Sequence, residues 1–76
     1  MPSEKSAANQ ALGEAIRAIR EGRGFSQEGT APRAGIDRSN YGAIERGEVN
    51  ATVDTLVKVA AGLEVPVAAL FKRAGL

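Results

Sequence analysis

Neither cysteine nor histidine occurs in this 76-residue chain, and the aromatic side chains amount to two phenylalanines and one tyrosine. Without those residues there are no disulfides, no thiol nucleophiles, no Ser-His or Cys-His catalytic pairs and almost no transition-metal sites. No clustering of carboxylates compensates, so an enzyme is not expected, nor is a metal, a cofactor or a small-molecule ligand. No apolar run approaches the length of a membrane span, and the opening MPSEKSAANQ lacks the hydrophobic stretch of a signal peptide. A cytoplasmic protein with no membrane association is therefore expected. An excess of one charge is missing too. Ten basic residues stand against nine acidic ones, a net charge of +1, and that balance alone would not suggest a nucleic-acid partner.

What is present is one small domain built on a helical period. A chain of this size buries only about 60% of its unfolded surface, so association with a second copy would ease a marginal core. Residues 1–8 are small and polar and read as a flexible arm, leaving 9–76 as the folded domain. From Asn9, a candidate N-cap, the residues Leu12, Ala15, Ile16 and Ile19 recur with helical spacing until Gly22 and Gly24 end the run. Phe25 then turns toward the core. Farther on, Thr52 can cap a helix whose apolar face is Val53, Leu56, Val57, Ala60 and Leu63, with Gly62 near its end. Val65-Pro66 opens a last helix with proline at its first position, an apolar stripe of Val67, Leu70 and Phe71, and Lys72 and Arg73 at its C-terminal end. No strand-like alternation and no long repeat appear, so the expected fold is all-α, a bundle of five short helices.

Between these flanks, Ser26 to Gly47 reads SQEGTAPRAGIDRSNYGAIERG. Ser26 can cap a short helix and Gly35 can supply the left-handed corner that ends it. Asp37 can cap the next helix, which runs from about Arg38 to Arg46. Helical spacing turns Tyr41 and Ile44 inward and leaves Arg38, Ser39, Asn40 and Ala43 facing out. The first of these helices has a poor interior, with Gly29, Thr30 and Pro32. A proline there costs about 3 kcal/mol and removes a backbone bond, so a kink or an early tightening is expected. Arg17, Arg20, Arg23, Arg33, Arg38 and Arg46 gather modestly around the motif, while the acidic residues are scattered.

The order and spacing of LGEAIRAIR, SQE, AGIDRS, AIERG, the segment Asn50 to Leu56 and VAALF resemble the Cro/C1-type, or XRE, helix-turn-helix family over roughly Ala11 to Phe71. Within it, DRSNYGAIERG is similar to the recognition segment of restriction–modification controller proteins. The resemblance implies a lambda-repressor-like bundle and a sequence-specific transcriptional regulator of double-stranded DNA, whose third helix lies in the major groove. On that reading Arg38 can take guanine bidentately, Asn40 adenine, Ser39 a base or a phosphate, and Ala43 a thymine methyl. Their alternative is solvated surface. Ser26 and Gln27 would contact phosphate at the start of the second helix, with Ser26 also its cap, and Arg46 and Asn50 are further phosphate candidates. Arg20 and Glu45 match the positions of an internal salt bridge. A homodimer reading a pseudo-palindromic operator is expected, its interface drawn from Val67, Leu70, Phe71 and Leu76, of which Leu70 and a neighbour can equally be core. Thr30 departs from the family where leucine is usual, and Gly42 where a small polar residue is common; Gly42 reads either as a flexible point or as a close approach to DNA. A second expectation from the same fold is an antitoxin-like protein-interaction module.

Overall fold

In the computed structural model, which describes residues 6–76, five α-helices follow one another: α1 (Ala7–Gly22), α2 (Gln27–Ala34), α3 (Arg38–Glu45), α4 (Val53–Leu63) and α5 (Val67–Ala74). The helix starts follow from short polar side chains that satisfy backbone N–H groups otherwise left without partners. Ser26 accepts from the Gly29 amide, Asp37 from Asn40 and Thr52 from Thr55. The first helix begins earlier than expected. Ser6 is its cap and accepts from the Asn9 amide, so Asn9 lies inside the helix and residues 6–8 form its cap and first turn. The rest of the expected arm, residues 1–5, lies outside the described residues. Pro66 occupies the cap of α5 rather than its first turn, with extended backbone.

The helix ends share one device. A residue in the left-handed region follows each helix, and the next N–H returns to a carbonyl five residues back: Phe25 to Arg20, Ile36 to Ala31, Glu48 to Ala43, Val65 to Ala60 and Leu76 to Phe71. Four of the left-handed residues are glycines (Gly24, Gly35, Gly47 and Gly75), as the absence of a Cβ favours. The fifth is Glu64. Gly62, the glycine nearest the end of α4, serves a different purpose: a Cβ there would stand 2.9 Å from the Ala34 Cβ and 3.0 Å from the Ala34 nitrogen, so its absence lets α2 lie flush on α4.

The core is Ile16, Ala31, Tyr41, Ile44, Leu56, Val59, Ala60, Leu63 and Leu70, with Leu12, Ile19, Phe25, Ile36, Val65, Val67 and Phe71 packed around it. The helix α2 packs mainly on α4, α1 on α5, and α3 on α1 and α2. Despite Pro32, α2 continues without interruption to Ala34. Thr30, where apolar volume is lost, is fully buried, and its hydroxyl donates to the Ser26 carbonyl at 2.8 Å. The polar group is thereby satisfied inside its own helix. Among the described residues no helix is long and apolar enough to cross a membrane.

Candidate nucleic-acid interface

The two short helices α2 and α3 meet through the left-handed Gly35, and α3 presents its first turn to solvent. Arg38, Ser39 and Asn40 are all exposed, and Ala43, a turn farther on, is half-buried. The Asn40 backbone is fixed by the Asp37 cap, which leaves its amide side chain pointing outward from an ordered first turn. Arg38 stands 3.6 Å from Glu28 in a loose pair whose two side chains are 59% and 72% exposed. A pair so exposed contributes about 0–1 kcal/mol and yields readily to a competing partner.

Beneath this surface α3 is held at its far end. The Arg20 Nε donates to Glu45 Oε2 at 2.7 Å and its Nη2 to Oε1 at 3.2 Å, while Nη1 donates to the Phe25 carbonyl at 2.8 Å. One guanidinium thus ties α1 both to the last residue of α3 and to the loop before α2. Gln27 completes the arrangement by donating its amide to Glu45 Oε1 at 2.9 Å. Burial alone would push the Glu45 carboxyl up. The hydrogen bonds from Arg20 and Gln27 outweigh that effect and hold it below the ordinary glutamate value. The Tyr41 hydroxyl lies beside the same pair, buried and without a hydrogen bond of good geometry, and burial pushes its pKa up.

The remaining expected site residues fall into distinct places. Ser26 spends its side-chain oxygen on the cap of α2. Arg46 is exposed and pairs with Glu48 at 3.0 Å, and Asn50, also exposed, accepts a short hydrogen bond from Asn9 that ties the start of α1 to the loop after α3. Gly42 is buried, and a Cβ there would meet the Arg46 guanidinium at 3.0 Å and the Gln27 amide oxygen at 3.7 Å. Its missing Cβ thus leaves room for the Arg46 guanidinium. Leu70 is fully buried at the centre of the bundle and leaves the expected dimer interface for the core, because its stripe faces α1 and α4. Val67 and Phe71 lean on the core's edge, and Leu76 is 61% exposed.

Two of the arginines around the motif serve the scaffold. Arg33 and Arg23 stand 4.1 Å and 5.3 Å from the centre of the Phe25 ring. Arg33 also donates to the Gly62 carbonyl, and Arg23 pairs with Glu64, both at the end of α4. A further contact escaped the sequence reading. A Cβ on Gly13 would stand 2.4 Å from the Glu45 carbonyl oxygen and 2.6 Å from that of Ile44, so α1 touches the last turn of α3 backbone to backbone. The available signal was an isolated glycine amid good helix formers, tolerated only where something must come close.

This geometry, a capped two-helix unit with an exposed first turn and a clamped last one, coincides with a family match. The Helix-turn-helix (HTH_3) family profile matches residues 16–70. The chain belongs to the helix-turn-helix family. It is 38% identical over 65 residues to the control protein C.SmaI of Serratia marcescens, covering 86% of this chain and 77% of that protein. It is 40% identical over 55 residues, 72% of its length, to the HTH-type transcriptional regulator SutR of Escherichia coli K12, and spans only 31% of SutR. The crystal structure of the restriction-modification controller protein C.AhdI from Aeromonas hydrophila superposes with a TM-score of 0.84 at 35% identity, covering 87% of this chain and 100% of that one. The controller protein C.Esp1396I also gives 0.84, at 30% identity over 91% of this helix-turn-helix chain and 90% of its own. These relatives are transcriptional regulators and controller proteins, not enzymes.

Proposed function

We propose that this helix-turn-helix protein is a sequence-specific transcriptional regulator that binds double-stranded DNA as a homodimer, inserting α3 into the major groove of a pseudo-palindromic operator. The observation that carries the reading is the exposed run Arg38-Ser39-Asn40 on the first turn of a helix whose other end is immobilised by Arg20, Gln27 and Glu45. Base-edge hydrogen bonds require side chains presented from a rigid frame, and the N-terminal residues of a recognition helix are the ones that reach the groove floor. Arg38 would take guanine N7 and O6, Asn40 adenine, Ser39 a base or phosphate, and Ala43 a thymine methyl. Ser26, Gln27, Arg46 and Asn50 would meet the backbone. The two copies would meet along the outer side of α5, through Phe71, Val67 and Leu76, spacing their α3 helices about one turn of DNA apart.

Selection of bound sites from a random duplex pool tests this directly. A palindromic consensus is expected. Arg38→Ala should then lose about 1–3 kcal/mol of preference at one base pair in each half-site while its melting temperature stays that of the parent. An unenriched pool would remove the regulator reading and leave the interaction module, whose basis here is the exposed Val53, Val57 and Leu76.

A further inference from the structure

Tyr41 is the largest side chain that the fold buries completely, and its hydroxyl has no hydrogen-bond partner. Among the described residues no other buried side-chain nitrogen or oxygen is left in that state. An unpaired buried hydroxyl is destabilising, and phenylalanine would fill the same volume without it, so the group calls for a reason. Its surroundings are not apolar. Glu45 stands one turn along α3, and the hydroxyl lies beside its carboxylate and the Arg20 guanidinium. That carboxylate is already occupied. Arg20 Nη2 at 3.2 Å and the Gln27 amide at 2.9 Å share Oε1, and Arg20 Nε takes Oε2 at 2.7 Å. Two of these three donors belong to one guanidinium, 11% exposed and tied as well to the Phe25 carbonyl. The third differs. Gln27 is half-buried, opens α2 and lines a cleft of about 340 Å³ with Arg17 and Arg46, so it is the donor with room to leave.

We propose that Tyr41 is a positioning residue for DNA binding, a reserve donor that takes the place of Gln27 on Glu45 when Gln27 turns to a phosphate of the duplex. The inference rests on the DNA-binding reading, in which Gln27 meets the backbone, and adds the residue that keeps Glu45 paired while it does. Without a substitute, withdrawal of the Gln27 amide leaves a buried carboxylate short of a donor, at the end of α3 that must stay fixed. A phenolic hydroxyl supplies that donor by turning about its C–O bond, with a small shift of the carboxylate and no change in how the ring packs. Spacing favours the pair as well. Tyr41 and Glu45 stand at i and i+4, the separation that brings two side chains together on one helix face. Glu45 thus keeps three donors in both states, and α3 stays clamped whichever partner Gln27 holds. The orphaned hydroxyl of the unbound protein is the counterpart of a bond made in the complex.

Tyr41 is the chain's only tyrosine, so a carbon-13 label at the tyrosine Cζ gives one resonance that reports on this hydroxyl alone. In the full chain that resonance should shift when the selected operator duplex is added. It should shift in the same direction in unbound Gln27→Ala, where Glu45 has lost the same donor. Tyr41→Phe removes only the hydroxyl, and by itself it should melt at the parent's temperature or above. Combined with Gln27→Ala it should melt below Gln27→Ala, a reversal that a purely structural tyrosine would not give. Tyr41→Phe should also weaken binding to the operator and to a random-sequence duplex alike, by about tenfold, as loss of one hydrogen bond to a charged group implies. A resonance that the bound duplex leaves unmoved would overturn the reserve donor, as would a Tyr41→Phe melting shift identical in both backgrounds. If either is found while the operator is still bound, the DNA-binding reading stands and only the role of Tyr41 fails. Absence of any duplex binding by the unsubstituted chain overturns both.

Discussion

Glu45 is the residue on which the largest opposing effects meet. Its carboxylate is buried, which disfavours the charge, yet Arg20 and Gln27 donate three hydrogen bonds to it and the charged form prevails. Because its folded pKa lies below the ordinary glutamate value of 4.5, the unfolded chain binds the proton more readily. The stability it contributes is complete above that value and is lost as pH falls through the depressed folded pKa. Denaturant titrations should accordingly show a stability plateau near neutral pH and a decline once pH drops below about 4.5. The decline should be shallower when Arg20→Met and Glu45→Gln are combined. An acid profile identical in that double variant would place the sensitivity on other carboxylates. Arg20→Met alone strands a buried charge and should cost about 3–5 kcal/mol, against a total of about 4–11 kcal/mol for a chain of this length. The Arg20–Glu45 pairing was legible only through family resemblance. The third partner, Gln27, was legible as a polar residue at a helix start but not as a ligand of Glu45, because that contact joins the first residue of one helix to the last residue of another.

Helix starts and stops were the best-marked elements in the sequence, since Ser26, Asp37, Thr52 and the left-handed Gly24, Gly35 and Gly47 act through neighbours three to five positions away. Longer-range contacts override these local signals at two helix ends. The start of α1 moved from Asn9 to Ser6, and Asn9 was drawn into a bond with Asn50 across the molecule. Gly62 near the end of α4 serves contact with Ala34, leaving Glu64 to take the left-handed turn. The helix-interior glycines predict opposite outcomes on the same physical ground. Gly13→Ala would force a methyl into the Ile44 and Glu45 carbonyls, neither of which can move without shifting α3, and should destabilise by about 1–3 kcal/mol. Gly42→Ala presses only on the exposed end of Arg46 and reaches the Gln27 amide oxygen at an ordinary contact distance, so the gain of about 0.5–1 kcal/mol in helix preference should survive. Thermal melts should move in opposite directions, by about 4–8 °C per kcal/mol for a domain this small. A fall in both would mean that Arg46 cannot give way.

At the scale of the whole molecule, a near-neutral chain meets its proposed polyanionic partner by sorting its arginines. Arg23 and Arg33 brace Phe25 and the end of α4, Arg20 lies in the core clamp, and Arg17, Arg38 and Arg46 stay exposed, each beside a carboxylate. Binding on this arrangement depends on exchanging weak internal pairs for phosphates and bases, so it should be steeply salt-dependent for so small a net charge. The small core gives association a second consequence. If two copies meet along α5, folding and dimerisation are linked, and the melting temperature should rise with protein concentration by mass action. Differential scanning over a hundredfold concentration range reads this directly, and a constant midpoint would make the unbound protein a monomer.

The sequence by itself determined the five helices, the caps at Ser26, Asp37 and Thr52 and the outward-facing first turn of α3, because each depends on residues within a turn of one another. Tertiary structure decided the rest. It chose which arginines are scaffold and which are surface, moved Leu70 from a candidate interface into the core, and set Gln27 on Glu45 and Gly13 on the end of α3. Those outcomes depend on which helix faces which across the core. Local spacing carries no record of that, because only packed helices bring such distant residues within reach.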